Sequence, residues 1–126
     1  MGCLIYQACD WIMEVVAMLL WEILVPTQFD DTKEAVAAEH HREWDCFVRE
    51  VSGGLTMLRA ATGQWVHSGK VQQENVIPVR LIATRAQMEE IAKFTASHYR
   101  QKVIMAYKIS DEVLFVTATG PMKLNG

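Results

Sequence analysis

Residues 53–74, GGLTMLRAATGQWVHSGKVQQE, decide how this chain folds. The stretch is too rich in β-forming residues for a helix and too irregular for a single strand, so it reads as a meander of short strands turned at glycines. Gly53 and Gly54 stop the helical pattern before them, because a residue free to take positive φ ends a helix at low cost. Leu55 to Leu58 then alternates. Gly63 is expected to turn the chain into Gln64, Trp65 and Val66, and Ser68-Gly69 to turn it again. The third run starts near Val71 and feeds Val76 to Ala83, the most strand-like segment of the chain. Pro78 has no N–H to give a ladder, which predicts an edge, a bulge or a strand start at that point.

On the N-terminal side, residues 1–17 read as an arm or appended helix, with Trp11, Ile12, Val15 and Val16 along one side. Met18 to Val25 is nearly all apolar, as in a central strand covered on both faces, and Pro26 ends it. Thr32, preceded by Asp30 and Asp31, is the expected N-cap of a first helix. Val36, His40, Trp44, Phe47, Val48 and Val51 recur at helical spacing along its inner stripe. Beyond the meander, Thr84 is the expected N-cap of a helix from Arg85 to Gln101, with Met88, Ile91, Ala92, Thr95 and Tyr99 inside. Val103 to Ile109 and Val113 to Ala118 predict a hairpin about Ser110 and Asp111, and residues 119–126 a loose tail. This order predicts one α+β domain over residues 18–118. Its plan is a ferredoxin-like split βαβ sandwich, a mainly antiparallel sheet with two helices on one face and an extra C-terminal hairpin. That plan sets Glu22 and Arg80 on one sheet face as a pair.

A chain of 126 residues fits one core, and 51% hydrophobic with 21% charged residues excludes disorder. A net charge of -3 with scattered Lys and Arg argues against nucleic acid as a partner. The apolar N-terminal run holds Asp10, Glu14 and Glu22 and no Lys or Arg before Lys33, which fits neither a secretion signal nor a membrane span. Cys3, Cys9 and Cys46 form no metal-ligand spacing and no closed disulfide set, and the expected compartment is the cytoplasm.

Gly54-Leu55-Thr56, Gly63-Gln64-Trp65, Gly69 and Glu74, followed by Tyr99, Gln101 and Val103, make an ordered pattern. Over residues 54–118 it resembles a small bacterial domain family of unassigned function, marked by G-L-T-x-L, G-Q-W, a glycine, a glutamate and a late tyrosine and glutamine. The resemblance supports the fold and implies no reaction. The chain departs from it in having no secretion signal and in its Glu39-His40-His41 cluster.

His40 and His41 are adjacent and so point about 100° apart on a helix, whereas a metal pair wants a spacing of three or four; no metal and no cofactor are expected. His40 lies in the apolar stripe, where an imidazole needs a partner. A pocket between helix and sheet would gather His40, Trp44, Thr56, Trp65, Tyr99 and Tyr107 around a small apolar or aromatic ligand. Cys46 has no base beside it in sequence, Glu74 is an isolated carboxylate, and no phosphate loop or dinucleotide fingerprint occurs. Two functions follow. The first is a homodimer or higher oligomer acting by protein contact, because Leu20, Leu24, Ile82, Leu114 and Val116 leave an apolar sheet face open. The alternative is a ligand-binding protein or minor enzyme centred on His40.

Overall fold

The computed structural model describes residues 18–121, so the segment 1–17 and the last five residues lie outside the description. In order come β1 (Leu19–Pro26), α1 (Ala38–Ser52), β2 (Thr56–Met57), β3 (Ala61–His67), β4 (Lys70–Ala83), α2 (Arg85–His98), β5 (Ala106–Ser110), β6 (Val116–Thr117) and β7 (Gly120–Pro121). β1 and β4 are central. β5 flanks β1, β2 and β3 share the outer edge of β4, and every pairing is antiparallel. This is the ferredoxin-like α+β plan, its second strand broken into β2 and β3.

Both helices cover one sheet face. Trp21, Ile23 and Val25 of β1 and Val79, Leu81 and Ala83 of β4 meet Trp44 and Val48 of α1 and Met88 and Ile91 of α2, all buried. Each such aliphatic side chain contributes about 1.5–3 kcal/mol by leaving water. The two buried indoles are satisfied: Trp21 Nε1 donates to the Ala83 carbonyl at 3.0 Å and Trp44 Nε1 to Thr95 Oγ1 at 2.8 Å. Met88, Ile91, Thr95 and Tyr99 are buried as their spacing predicts, and Thr84 caps α2 in a reciprocal box with Gln87.

Four local features differ from expectation. Thr32 does not cap α1, which starts at Ala38 after Ala37 without a side-chain cap. Asp31 and Thr32 instead accept from the backbone of Thr32 and Glu34, so their acceptors are used within the loop. Gly63 does not turn the chain but lies within β3, where the Trp65 ring occupies the space a Cβ would take. The turn is Ser68-Gly69 alone, with φ of 53° and 75° as a type I′ hairpin requires.

Pro78 lies inside β4, and the interruption falls on its neighbour. Its carbonyl accepts from Leu58 N–H at 2.9 Å, so the position of its missing N–H faces that same outer edge, where the chain leaves β2 before starting β3. Finally, β5 pairs with β1 rather than with the segment after Ser110, because the free edge of β1 takes its hydrogen bonds. The C-terminal hairpin forms later, between β6 and β7.

Candidate functional site

The sheet divides the six candidate residues. His40, Trp44 and Tyr99 belong to the helix layer. Thr56 and Tyr107 belong to the opposite face, since they stand in register with Arg80 and Glu22, whose neighbours Val79, Leu81 and Ile23 point to the helices. The same alternation carried down β4 puts Glu74 and Gln72, and with them Gly63 and Trp65 of β3, on that second face. The structure therefore does not gather one pocket around His40.

In the helix layer, His40 of α1 and His98 at the end of α2 exchange hydrogen bonds: His40 Nε2 donates to the His98 carbonyl at 2.6 Å and His98 Nε2 to the His40 carbonyl at 2.8 Å. A carbonyl only accepts, so both rings carry their proton on Nε2. The rings stack with centroids 3.7 Å apart at 10°, flanked by Phe29 and Phe94. His41 Nδ1 meets the hydroxyl of Tyr99 at 2.7 Å. Burial, then the charges of His40 and His98, lowers the proton affinity of His41, and burial pushes the Tyr99 phenol well up, with Asp45 adding to it. His40 thus has the partner its place in the stripe demands.

Three ligand-type atoms, of His40, Glu43 and His98, lie within 4.8 Å of one another. A metal bonds an imidazole nitrogen along its lone pair, in the ring plane, and two rings stacked this closely share no such point. As arranged, the cluster clamps helix to helix and would have to unstack to take a cation.

On the sheet face away from α1 and α2 a polar row crosses four strands. Thr56, Arg80, Glu22 and Tyr107 stand in register from β2 to β5. Arg80 Nε donates to Glu22 Oε1 at 3.0 Å and the Tyr107 hydroxyl donates to Glu22 Oε2. Glu22 is 8% exposed, and the expected pair with Arg80 is present. The Tyr107 hydrogen bond chiefly, with help from Arg80 and against burial, holds the Glu22 carboxyl below its usual value; the same bond raises the Tyr107 phenol.

Next to this row lies a groove of about 550 Å³. Its floor includes Leu24 and Val76, one wall is the β3–β4 hairpin with Trp65 and Glu74, and the other is the lead into β5 with Lys102, Val103 and Met105. The hairpin stands beyond β1, whose pairing with β4 ends at Pro26 and Val76. A smaller cavity of about 210 Å³ lies between Leu20, Arg80 and the Gly53-Gly54 turn. Neither is lined by His40. In the sequence Trp65 and Glu74 stand as separate candidates; Gly63, two residues before Trp65, is the signal that joins them, since a ring at that spacing can lie on a residue without a side chain.

Neither a family profile nor a curated protein matches the sequence. Solved structures do match. The divalent cation tolerance protein of Thermus thermophilus superposes with a TM-score of 0.54 at 12% identity, covering 76% of this chain and 87% of that one. The periplasmic divalent cation tolerance protein of Archaeoglobus fulgidus gives 0.56 at 8%, covering 76% and 85%. A phage SAM lyase in complex with S-methyl-5′-thioadenosine gives 0.55 at 15%, covering 75% and 90%. The likeness is one of fold. These proteins carry different names for different activities, so the shared architecture assigns neither to this chain. Among the described residues no helix is long and apolar enough to cross a membrane.

Proposed function

We propose that this chain is a self-assembling α+β module whose sheet face away from α1 and α2, with the β3–β4 arm, contacts further copies, as a homodimer or higher oligomer. The arm carries the reading. A two-stranded ribbon is marginal by itself in water, yet this one extends past the sheet with Val66 76% and Val71 65% exposed. Leu20, Leu24 and Ile82 flank the Glu22–Arg80 pair on the sheet face away from α1 and α2. The two valines project from the other side of the ribbon, so the apolar sheet face and the ribbon offer further copies two adjoining surfaces. The G-L-T-x-L and G-Q-W pattern falls in the segment that builds this edge.

Sedimentation of the purified chain over low to high micromolar concentration tests the reading. The native chain is expected to associate, and Leu24→Asp with Val66→Asp to shift it to monomer while leaving helical content unchanged. A native monomer at high micromolar concentration would overturn it.

A second reading, small-ligand binding, moves from His40 to the groove. Its support is the volume of about 550 Å³, within the range of ligand sites, together with an indole in one wall. A thermal-shift screen in which no small molecule stabilises the chain would count against it.

A further inference from the structure

We propose that the groove beside the hairpin arm takes a monovalent organic cation, held between the indole face of Trp65 and the carboxylate of Glu74. The inference rests on the ligand-binding reading of the groove and names the chemistry of what fills it.

The geometry follows from strand register. Gly63 stands opposite Glu74 and Trp65 opposite Gln72, all four on one face. The Trp65 ring does not stand over its own cross-strand partner but lies back over Gly63. That brings the indole beside Glu74, because directly paired residues have Cβ positions only about 4.5–5.5 Å apart. The ring reaches Gly63 with the edge of its six-membered ring, and a ring face is left to the groove that Trp65 lines. Among the described residues neither the Trp65 indole N–H nor the Glu74 carboxylate has a hydrogen-bond or ion-pair partner.

An open π face next to an unpaired carboxylate is a cation-recognition pair: the ring quadrupole and the negative charge act on the same ligand atom. The ion is organic because the floor supplies the apolar side chains of Leu24 and Val76 with Met105 on the far wall. A bare metal ion would find one carboxylate free of an ion pair where it needs several oxygen or nitrogen ligands. It is monovalent because Glu74 is the one groove carboxylate outside an ion pair. Lys33 is paired with Asp30 at 3.1 Å, and Lys102 on the opposite wall disfavours a second positive group. The arrangement also explains the G-x-W spacing, since any side chain at residue 63 would displace the ring from its place beside Glu74.

The test uses the full chain, titrated with choline and with 3,3-dimethyl-1-butanol, its neutral counterpart of the same shape, and followed by NMR at the Trp65 indole N–H. The buried Trp44 indole reports folding, and sedimentation of the same samples reports assembly. Choline is expected to bind about tenfold more tightly than the alcohol, and Trp65→Leu and Glu74→Gln each to remove most of that difference, with the Trp44 signal unmoved. Gly63→Ala is expected to weaken choline as Trp65→Leu does. Equal binding of choline and the alcohol at Trp65 would overturn the cation inference and leave a neutral-ligand groove. No response of Trp65 to either compound, with folding and assembly intact, would overturn the groove reading as well.

Discussion

Trp44 and Trp65 lie on opposite sides of one sheet and meet opposite fates. Trp44 is 1% exposed, packed among both helices, its indole N–H given to Thr95, which in turn donates to the Ile91 carbonyl. Trp65 lies on Gly63 in a ribbon beyond the sheet, half-buried, and its N–H has no partner among the described residues. Residue type does not separate them. What separates them is that α1 and α2 cover the face of Trp44 and not that of Trp65.

The largest expected effect tests that division directly. Trp44→Ala should destabilise the chain by about 3–5 kcal/mol, through a cavity and the lost indole hydrogen bond to Thr95, while Trp65→Ala should cost less than about 1 kcal/mol. Urea unfolding of both variants under dilute conditions measures the difference; similar losses would mean that the ribbon is part of the core and would end the comparison.

The next effect concerns the polar row. Glu22 is buried among Arg80 and Tyr107, so Glu22→Gln and Arg80→Gln should each destabilise, with a coupling of about 1–2 kcal/mol in the double-mutant cycle, less than a fully enclosed pair because Arg80 is half exposed. Simple additivity would show that the two charges act independently in solution.

Acid titration should separate the two sides again. His41 takes a proton less readily in the folded chain than its ordinary value of 6.5, so the folded state binds fewer protons than the unfolded one. Its stabilising contribution is full above 6.5 and is lost as pH falls through the lowered folded value. Glu22 also has a lowered value, from an ordinary 4.5, so its contribution is present above 4.5 and lost as pH falls further. Urea midpoints measured against pH should therefore flatten below 6.5 in His41→Gln and below 4.5 in Glu22→Gln. An exchange of those two windows would show that the helix layer does not hold the histidine neutral.

The smallest expected effect is that of Gly63→Ala on stability, below about 1 kcal/mol, since the backbone there is strand-like and the displaced ring moves into open groove. Loss of more than about 2 kcal/mol would place the ring in the core, because that is the scale of a packing defect.

Both helices, their inner stripes, the Thr84 cap and the Gly53 stop were legible in the sequence, as were the central strand and the Glu22–Arg80 pair. Thr32 misled because an Asx- or Thr-type turn and a helix cap use the same side-chain acceptors, and the loop took them first. Gly63 misled for a related reason: a glycine in a β-rich stretch marks either a turn or a place where something must approach closely, and Trp65 made it the second. The candidate site was legible only as single residues.

The sequence by itself determined the periods, about 3.6 or 2, because these express local backbone sterics and the burial of one face. Tertiary structure alone decided which residues share a place. His40 meets His98 across 58 residues, Tyr107 reaches Glu22 across 85, and Trp65 and Glu74 line one groove through a register set by one hairpin turn. Such meetings depend on strand order and on which sheet face the helices cover, and a shift of one residue in register would send every side chain of β3 to the other face.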